Sequence, residues 1–456
     1  MDGFAPRPTA KTVPVDVVDA AAAKAFVRKL PASARAVLAA QGFEPKPGRA
    51  TVLPGSGGKA RVLLVRRGPG DVWSAGALAR LGSGRYAVRT RLAPEDATAF
   101  ALGFALGRYR FERYLAPKRR PTLVWPEGAD RARVHAEAEA IRLGRDLINT
   151  PAADLGPAEL AQATADLADR FGGTCTVIEG EELLEAGFPT VYTVGKGSAR
   201  PPCLADLSWG DPDAPAVTLV GKGVVFDSGG LDLKSAAGMK LMKKDMGGAA
   251  TVLAMAHMIM ARELPVRLRV LVPAVENAIS GSAYRPLDVI RTRAGLSVEV
   301  GNTDAEGRLI LCDALAAAAE ERPRLLLDVA TLTGAARVAL GTELPALFAN
   351  RDPWAEAVLE AGRRLDDPLW RMPLWDAYDE LLASDVADLS NVASGSYGGA
   401  ITAALFLRRF VPKRQDWMHI DTMAWNTSAK PGRPKGGEIF GARALVAAIE
   451  ARLLAG

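Results

Sequence analysis

The sequence predicts an α/β fold with a mostly parallel central sheet and helices on both faces of that sheet. Two observations lead to this prediction. Short apolar runs typical of buried strands alternate with longer helical patterns along most of the 456-residue chain. Glycines and polar residues follow these runs, as expected where parallel strands leave a sheet. A smaller N-terminal α/β domain is predicted to precede this large domain.

The N-terminal part combines strand patterns with helix patterns. Two segments, "KARVLLVRR" at 59–67 and "RYAVRTRL" at 85–92, predict strands because each contains a short run of apolar residues. "DVWSAGALARLGSG" at 71–84 predicts a helix and a turn, and "EDATAFALGFALGRYRFERYL" at 95–115 predicts a long helix. This part is therefore predicted to be an α/β domain of its own.

A change of composition marks the end of that domain. The segment "APKRRPTLVWPEGAD" at 116–130 concentrates prolines and charges between two helical patterns. The charged pattern "DRARVHAEAEAIRLGRDLINT" that follows predicts a helix ending before Pro151. We therefore divide the chain into an N-terminal domain at 1–120, a connecting helix region at 121–150 and a large domain at 151–456.

The large domain repeats strand and helix patterns in alternation. The predicted strands are "AVTLVGKGVVFD", "VRLRVLVPAVE" and "PRLLLDVATLTGA", and the predicted helices are "GAATVLAMAHMIMAREL" and "GRLILCDALAAAAEE". This order is typical of a parallel sheet whose crossover helices cover both faces.

Composition narrows the class of protein. A chain that is 49% hydrophobic and 24% charged is typical of a soluble globular protein. Three widely spaced cysteines argue against a disulfide framework and against a thiolate zinc site. The N-terminus lacks the apolar core of a signal peptide, and the longest apolar run, at 249–261, is too short to span a bilayer. A cytoplasmic location without a membrane anchor is expected.

Carboxylates and lysines cluster just after the predicted strands. Lys222 and Asp227 follow "AVTLV", Lys234 and Asp245 come a little later, and Asp304 and Glu306 follow "LSVEVGN". The ends of parallel strands gather functional groups at one edge of the sheet. Residues two apart in an extended segment face the same way, so the last two carboxylates are expected to converge on one point.

Four carboxylates in one cleft would repel one another unless cations offset them. Hard oxygen ligands suit magnesium, manganese or zinc, and a cluster of this size predicts two ions that share a carboxylate and a bridging water. Burial and like charge beside two dications would depress the pKa of Lys222, so that it could bind metal as a neutral amine. Lys234 and Arg308 would remain cationic and face developing negative charge.

Five motifs together resemble the leucyl (cytosol) aminopeptidases, which are two-metal exopeptidases of the cytoplasm. These motifs are "VGKGVVFDSGG", "LKSAAGM", "MKKDMGGAA", "NTDAEGRLIL" and "DVATLTGA", and the resemblance extends over roughly residues 140–450. It implies that Lys222 and Asp245 bind the tighter metal, that Asp304 binds the more exchangeable one, and that Asp227 and Glu306 bridge the two. The implied ions are manganese or zinc.

The resemblance also implies roles for residues around the metals. Lys234 matches a lysine that polarises the scissile carbonyl and stabilises the gem-diolate. Arg308 matches an arginine that holds a bicarbonate ion, the implied general base. The residues that match the substrate pocket and the loop beside the bicarbonate are Met242, Thr331, Leu332 and Gly334.

The implied activity is metal-dependent hydrolysis of the N-terminal residue of peptides, with a preference for leucine-like side chains. The implied assembly is a homohexamer made of two trimers. Two alternatives stay open: another two-metal hydrolase such as a phosphatase, and a basic nucleic-acid-binding protein with secondary or lost peptidase activity. The latter is the weaker, because the basic residues that give the net charge of +5 are scattered along the chain.

One departure from the family pattern lies next to the predicted catalytic lysine. Many family members have Lys-Pro-Ser where this chain has Lys234, Ser235 and Ala236. The missing proline removes a rigid backbone position, so the loop that aims the lysine is expected to be less constrained.

Overall fold

The computed structural model describes residues 3–55, 57 and 59–454, which form two compact units. The first unit is built from Met1–Arg142, Arg364–Asp366 and Asn426–Lys435, and the second from Leu143–Arg363, Asp367–Trp425 and Gly436–Gly456. An α/β architecture with a small N-terminal domain and a larger C-terminal domain confirms the predicted fold class. The exact boundaries at residues 120 and 150 stay predictions.

The first unit contains a mixed sheet with the strand order β1-β6-β5-β2-β4-β3. Its strands are β1 (Phe4–Ala5), β2 (Val13–Asp19), β3 (Arg49–Pro54), β4 (Ala60–Arg66), β5 (Arg85–Val88) and β6 (Thr122–Val124). All neighbours in this sheet are parallel except β3, which runs antiparallel to β4. The two strands predicted in this part are confirmed as β4 and β5, although β5 is shorter than predicted.

Helices of the first unit differ from the prediction in two places. The helices are α1 (Ala20–Arg28), α2 (Ala32–Ala40), α3 (Pro94–Gly107) and the start of α4 (Arg131–Asn149). The predicted helix at 71–84 is instead a short 3-10 helix, Ser74–Arg80. The predicted helix at 95–115 ends at Gly107, because its run of buried positions ends at Leu106. Helix α4 confirms the predicted connecting helix.

The second unit contains the larger sheet, with the strand order β16-β15-β18-β14-β9-β11-β8-β7 and β10 beside β11. The strands of this sheet are β7 (Thr174–Glu179), β8 (Cys203–Trp209), β9 (Ala216–Gly221), β10 (Gly223–Asp227), β11 (Arg267–Asn277), β14 (Leu325–Ala330), β15 (Ala346–Ala349), β16 (Trp370–Arg371) and β18 (Trp417–Asp421). The strands outside it are β12 (Val289–Arg291), β13 (Ser297–Glu299), β17 (Leu389–Ser390), β19 (Trp425–Asn426) and β20 (Gly436–Gly437).

The helices of the second unit contribute many of its buried apolar residues. They are α5 (Pro157–Arg170), α6 (Glu182–Glu185), α7 (Pro189–Gly195), α8 (Ala236–Met239), α9 (Gly247–Ala261), α10 (Glu306–Glu320), α11 (Gly334–Leu340), α12 (Asp352–Leu365), α13 (Gly399–Arg408) and α14 (Ala442–Leu454), with 3-10 helices at Met242–Lys244 and Asp376–Leu382. The two helices predicted in this part are confirmed as α9 and α10. Among the described residues, no helix combines the length and the apolar character that crossing a membrane requires.

Helices α9 and α10 cover opposite faces of the large sheet. Val220 of β9 packs in the core cluster that contains the buried residues of α10. The next residue, Gly221, faces α9 so closely that a Cβ there would lie 2.5 Å from Val252 Cγ2. Because successive strand residues point to opposite faces, the two helices lie on opposite sides of the sheet. This arrangement confirms the predicted placement of helices on both faces of the sheet.

The central strands of this sheet are parallel, whereas antiparallel pairs lie towards its two ends. Strands β18, β14, β9, β11 and β10 run in one direction. Strand β15 is antiparallel to β18 at one end, and β8 is antiparallel to β11 at the other. The carboxyl ends of the five central strands therefore meet along one edge, which is where the candidate site lies.

Candidate active site

The carboxyl edge of the large sheet gathers polar residues from separate parts of the chain. Lys222 follows β9, Asp227 is the last residue of β10, and Asn277 is the last residue of β11. Thr331 follows β14, and Asp421 ends β18. Parallel strand direction brings these positions together, although up to about 200 residues separate them in the sequence.

One part of the cluster, here called the deep half, consists of Lys222, Asp245 and Glu306. Lys222 Nζ lies 2.7 Å from Asp245 Oδ2 and 2.8 Å from Glu306 Oε1. The Lys222 and Glu306 side chains are only 3% and 1% exposed. One ammonium group thus lies between two carboxylates in an almost dry environment, where ion pairing is strong.

A second part, here called the outer half, consists of Lys234, Asp227 and Asp304. Lys234 Nζ lies 2.7 Å from Asp227 Oδ2 and also contacts Asp304 Oδ1. The Lys234 side chain is 15% exposed and that of Asp304 is 34% exposed. The outer half therefore repeats the arrangement of one lysine between two carboxylates, but it reaches the solvent.

Asp304 and Glu306 enter the cluster by a different route from the one predicted. Strand β13 ends at Glu299 and belongs to a small sheet with β12 and β17, so the segment after it is not an extended strand of the central sheet. Ala305 has φ −107° and ψ 41°, and Glu306 is the first residue of α10. The expected alternation of an extended segment was wrong. A turn and a helix start deliver the two carboxylates to different halves.

Electrostatics in the deep half show an excess of negative charge. Burial, reinforced by repulsion from Asp227, raises the pKa of Glu306 to about 8. Burial lowers the pKa of Lys222, but Asp245 and Glu306 outweigh it and raise that pKa above its ordinary value. Burial raises the pKa of Asp245, and Lys222 reverses this so that the net shift is downward. Glu306 is thus the carboxylate that lacks sufficient compensation.

The donor set fits divalent metal ions. Oxygens of Asp227, Asp245 and Glu306 lie within 4.8 Å of one another and are buried. Glu306 Oε2 accepts no hydrogen bond from any described residue, and Oε1 lies 2.8 Å from Lys222 Nζ. A buried carboxylate oxygen without a hydrogen bond is suited to bind a hard cation. Lys222, Lys234 and the more distant Lys244 together still leave the four carboxylates undercompensated. Divalent ions would supply the missing charge.

Arg308 lies behind this cluster on the first turns of α10. Its Nη1 donates a hydrogen bond to the Asn391 carbonyl at 2.7 Å, and its guanidinium lies 6.0 Å from the centre of the Phe406 ring. Burial lowers the pKa of Arg308 to about 10. Arg308 Nε has no hydrogen-bond partner among the described residues. A buried guanidinium with an unused donor is suited to hold a small anion.

The loop after β14 is tied to the deep half. Thr331 Oγ1 donates to Asp245 Oδ1 at 2.8 Å, and Lys222 Nζ donates to the Thr331 carbonyl at 3.0 Å. Leu332 N donates to Asp421 Oδ1 at 3.0 Å. The remaining predicted loop residue is Gly334, which is exposed and begins α11. The structure thus brings Thr331 to the cluster directly and holds the next residues through Asp421.

Met242 lies in the short 3-10 helix that precedes Asp245. It is the first residue of that helix and is buried. The same helix contains Lys244, whose pKa burial lowers to about 8 and whose Nζ lies 3.8 Å from Asp245 Oδ1. The pocket role of Met242 stays a prediction.

Several residues that support the cluster were missed by the sequence prediction. Asn277 Nδ2 donates to Asp227 Oδ1 at 2.9 Å and to the Thr303 carbonyl at 3.1 Å. Asp421 accepts hydrogen bonds from Thr333 at both its N–H and its hydroxyl. Asn277 and Asp421 are polar residues at the ends of apolar strand patterns, so the signal that identified Asp227 could also have identified them.

His419 and His257 both lie outside the cluster. His419 is in the middle of β18, and its Nδ1 lies 2.5 Å from Asp328 Oδ1. Burial lowers the pKa of His419, but Asp328 outweighs this and raises it. His257 lies on α9 and packs edge-on against Phe171. Both histidines therefore pack within the unit and take no part in the cluster.

Comparison with known proteins identifies similar chains over nearly the whole length. The family model for the catalytic domain of the cytosol aminopeptidase family matches residues 142–446, and the model for the M17 aminopeptidase N-terminal domain matches residues 13–125. A probable cytosol aminopeptidase of Syntrophotalea carbinolica is 44% identical over 367 residues, which cover 76% of this chain and 73% of the relative.

Solved structures give the same result. The crystal structure of a cytosol aminopeptidase from Coxiella burnetii superimposes with a TM-score of 0.93 and 46% sequence identity. The match covers 99% of this chain and 100% of the Coxiella chain. The bottromycin maturation enzyme BotP in complex with Mn has a TM-score of 0.88 and 36% identity, and covers 97% of this chain and 100% of its own. These similarities favour an aminopeptidase over the alternative phosphatase.

Proposed function

The chain belongs to the cytosol aminopeptidase family, whose members are metal-dependent enzymes that remove N-terminal residues from peptides, and we propose that its deep and outer halves together hold two manganese or zinc ions. The single observation that carries this proposal is Glu306. Its carboxylate is buried, its Oε2 accepts no hydrogen bond from the described residues, and its pKa is raised to about 8 although Lys222 Nζ lies 2.8 Å from its Oε1. A divalent ion would stabilise its charged form.

The proposed ligands divide between the two halves. Lys222 and Asp245 would hold the tighter ion, and Asp304 the more exchangeable one, with Asp227 and Glu306 shared between them. The difference in burial supports this division, because Asp304 is the most exposed of the four carboxylates. For Lys222 to bind metal, its amine must lose the proton that the carboxylates now stabilise, so binding is expected to strengthen as pH rises.

When bound, such ions acidify a water molecule and polarise the scissile carbonyl. The chain itself supplies the other groups. Lys234 would face the negative charge that develops on the carbonyl oxygen, since its ammonium already lies between two carboxylates at the solvent side. Arg308 would hold a bicarbonate ion as general base, which its unused Nε donor supports.

The proposed substrate site lies beside the deep half. Thr331, Leu332 and Gly334 would form the loop along the peptide, and Met242 would contact the N-terminal side chain, with leucine-like residues preferred. The hydrogen bond from Thr331 to Asp245 supports this placement, because it fixes the loop to a proposed metal ligand. Turnover of a series of amino-acid anilides would measure the preference. A better rate for charged than for leucine-like residues would contradict it.

The proposed assembly is a homohexamer of two trimers in the cytoplasm. Its support is family membership and the printed name of the relatives, cytosol aminopeptidase. Light scattering on the purified protein is expected to give about six times the chain mass of 48.1 kDa. A monomeric mass in an active sample would contradict the hexamer.

The central experiment measures metal content together with leucine anilide turnover, before and after chelation. The expected result is two ions per chain, loss of turnover on chelation, and recovery with added manganese. Asp304→Ala should abolish turnover with the fold intact. Asp379→Ala is the matched control, because Asp379 is also a partly exposed aspartate paired with a basic side chain, that of Arg409. An active sample free of divalent ions would overturn the proposal.

A further inference from the structure

We propose that Asn391 is a positioning residue for the outer half of the cluster, because it fixes the loop that carries Asp304 and also holds Arg308. This inference rests on the proposed function, since it concerns the exchangeable metal position. Asn391 follows β17 and is fully buried. It lies outside the five sequence motifs, the last of which ends at Ala335.

The side-chain amide of Asn391 holds the loop by its backbone. Its Oδ1 accepts hydrogen bonds from Gly301 N at 2.8 Å and from Asn302 N at 3.2 Å. Its Nδ2 donates to the Asn302 carbonyl at 2.8 Å and to the Ala305 carbonyl at 3.4 Å. One buried side chain therefore satisfies four backbone groups that the loop leaves outside regular secondary structure.

This loop needs an external support because it lies between a short strand and the start of a helix. Strand β13 ends at Glu299 and α10 begins at Glu306, so the backbone around Asp304 belongs to neither. The loop also approaches the Asn391 segment very closely: a Cβ at Gly301 would lie 2.6 Å from Val392 Cγ2. Glycine at this position lets the two segments meet, and the amide fixes their register.

A second contact connects the same residue to the proposed anion site. The Asn391 backbone carbonyl accepts the hydrogen bond from Arg308 Nη1 at 2.7 Å. The outer carboxylate and the buried guanidinium are thus positioned by one residue. Because the bond to Arg308 uses the backbone, a side-chain substitution removes the support of the loop and keeps the arginine contact.

Only an amide fits this set of partners. Aspartate would keep an acceptor for the two N–H groups, but its second oxygen would face the Asn302 and Ala305 carbonyls. That arrangement places two acceptors together and buries a charge. Alanine would leave the N–H groups of Gly301 and Asn302 without this acceptor. Both substitutions are expected to loosen the position of Asp304.

The experiment uses the full-length protein freed of metal and titrated calorimetrically with manganese alone. Asn391→Ala is compared with wild type and with Asn350→Ala. Asn350 is the matched control, because its amide also holds backbone groups: Oδ1 accepts from Trp417 N at 2.9 Å, and Nδ2 donates to the Gln415 carbonyl at 2.8 Å. Asn391→Ser serves as a milder variant if the alanine variant does not fold.

Wild type is expected to bind two ions per chain. Asn391→Ala should bind the first ion as wild type does and the second about 10- to 100-fold more weakly, the usual cost of losing a group that orients a metal ligand. Leucine anilide turnover of Asn391→Ala should approach the wild-type rate in excess manganese, whereas Asp304→Ala should not recover. Asn350→Ala should bind both ions normally, even if its melting temperature falls.

The possible failures are distinguishable. Wild-type protein that binds no manganese would overturn the proposed function itself. If Asn391→Ala or Asn391→Ser bound two manganese ions with wild-type affinity, only the positioning role would be overturned. An equal loss of affinity for the second ion in Asn350→Ala would also overturn the positioning role, because the loss would then reflect a general loosening of the unit.

Discussion

The deep and outer halves of the cluster contain the same kinds of groups in different surroundings. Each places one lysine between two carboxylates. In the deep half, Lys222 and Glu306 are almost fully buried, whereas Asp304 in the outer half is one-third exposed. The secondary-structure elements also differ. The deep half is built by a strand end, the end of a short 3-10 helix and the start of α10, whereas loops contribute Lys234 and Asp304 to the outer half.

This difference shows that burial decides how much the same kind of ion pair contributes to the stability of the folded protein. In the deep half, an unpaired charge has no water to compensate it, so removal of either partner is costly. In the outer half, solvent screens the charges and the backbone needs separate support, which Asn391 provides. The deep half is therefore expected to govern stability and the outer half to govern turnover.

The largest effect should follow Lys222→Ala. This change removes the cation that Asp245 and Glu306 share, although Lys244 Nζ still lies 3.8 Å from Asp245 Oδ1. Breaking a buried pair costs about 3–5 kcal/mol in unfolding free energy. Turnover should disappear as well, because a proposed metal ligand is lost. Urea unfolding of the metal-free protein and leucine anilide turnover measure the two effects. A variant as stable and as active as wild type would remove the distinction between the halves.

Lys234→Ala should separate turnover from stability. Loss of a group that stabilises developing negative charge lowers kcat about 10²- to 10³-fold. The unfolding free energy should fall less than in Lys222→Ala, because Lys234 is partly solvated. Lys240→Ala, at an exposed lysine nearby, serves as control and should match wild type. If Lys234→Ala were more destabilising than Lys222→Ala, the outer half rather than the deep half would govern stability.

The pH dependence of stability tests the charge balance of the deep half. Burial raises the pKa of Glu306 from its ordinary 4.5 to about 8 in the folded metal-free protein. Between these values the unfolded chain has released the proton and the folded chain still binds it. The free energy of unfolding therefore falls as pH rises from about 5 to about 8. Glu306→Gln should flatten this slope in urea titrations of protein freed of metal by a chelator. If the free energy of unfolding fell equally with pH in wild type and in Glu306→Gln, Glu306 would not be the group responsible.

The smallest effect should follow Ser235→Pro, which restores the family's residue beside Lys234. Ser235 has φ −60°, which proline accepts, but its Oγ now caps α8 by accepting a hydrogen bond from Gly238 N at 3.2 Å. Loss of the cap and gain of rigidity are each worth about 1 kcal/mol and have opposite signs. Turnover and melting temperature should both stay close to wild type. A large rise in kcat would show that the serine loosens the catalytic loop.

Much of the fold was predictable because strands and helices leave local periodic signals. The patterns at 216–227 and 248–264 correspond to β9, β10 and α9, since buried elements need regularly spaced apolar residues. The end of α3 was not predictable in this way. Its termination at Gly107 depends on where the buried face ends, and this is set by packing against Ser74–Arg80.

The sequence by itself determined which residues have the chemistry of the site, because motifs around Lys222, Asp245 and Asp304 are local in the chain. Tertiary structure alone decided which lysine meets which carboxylate, how deeply each pair is buried, and that Asn391 supports Asp304. The physical reason is that these pairings depend on strand order and on loop approach. Both bring together residues tens to hundreds of positions apart, and neither leaves a local pattern.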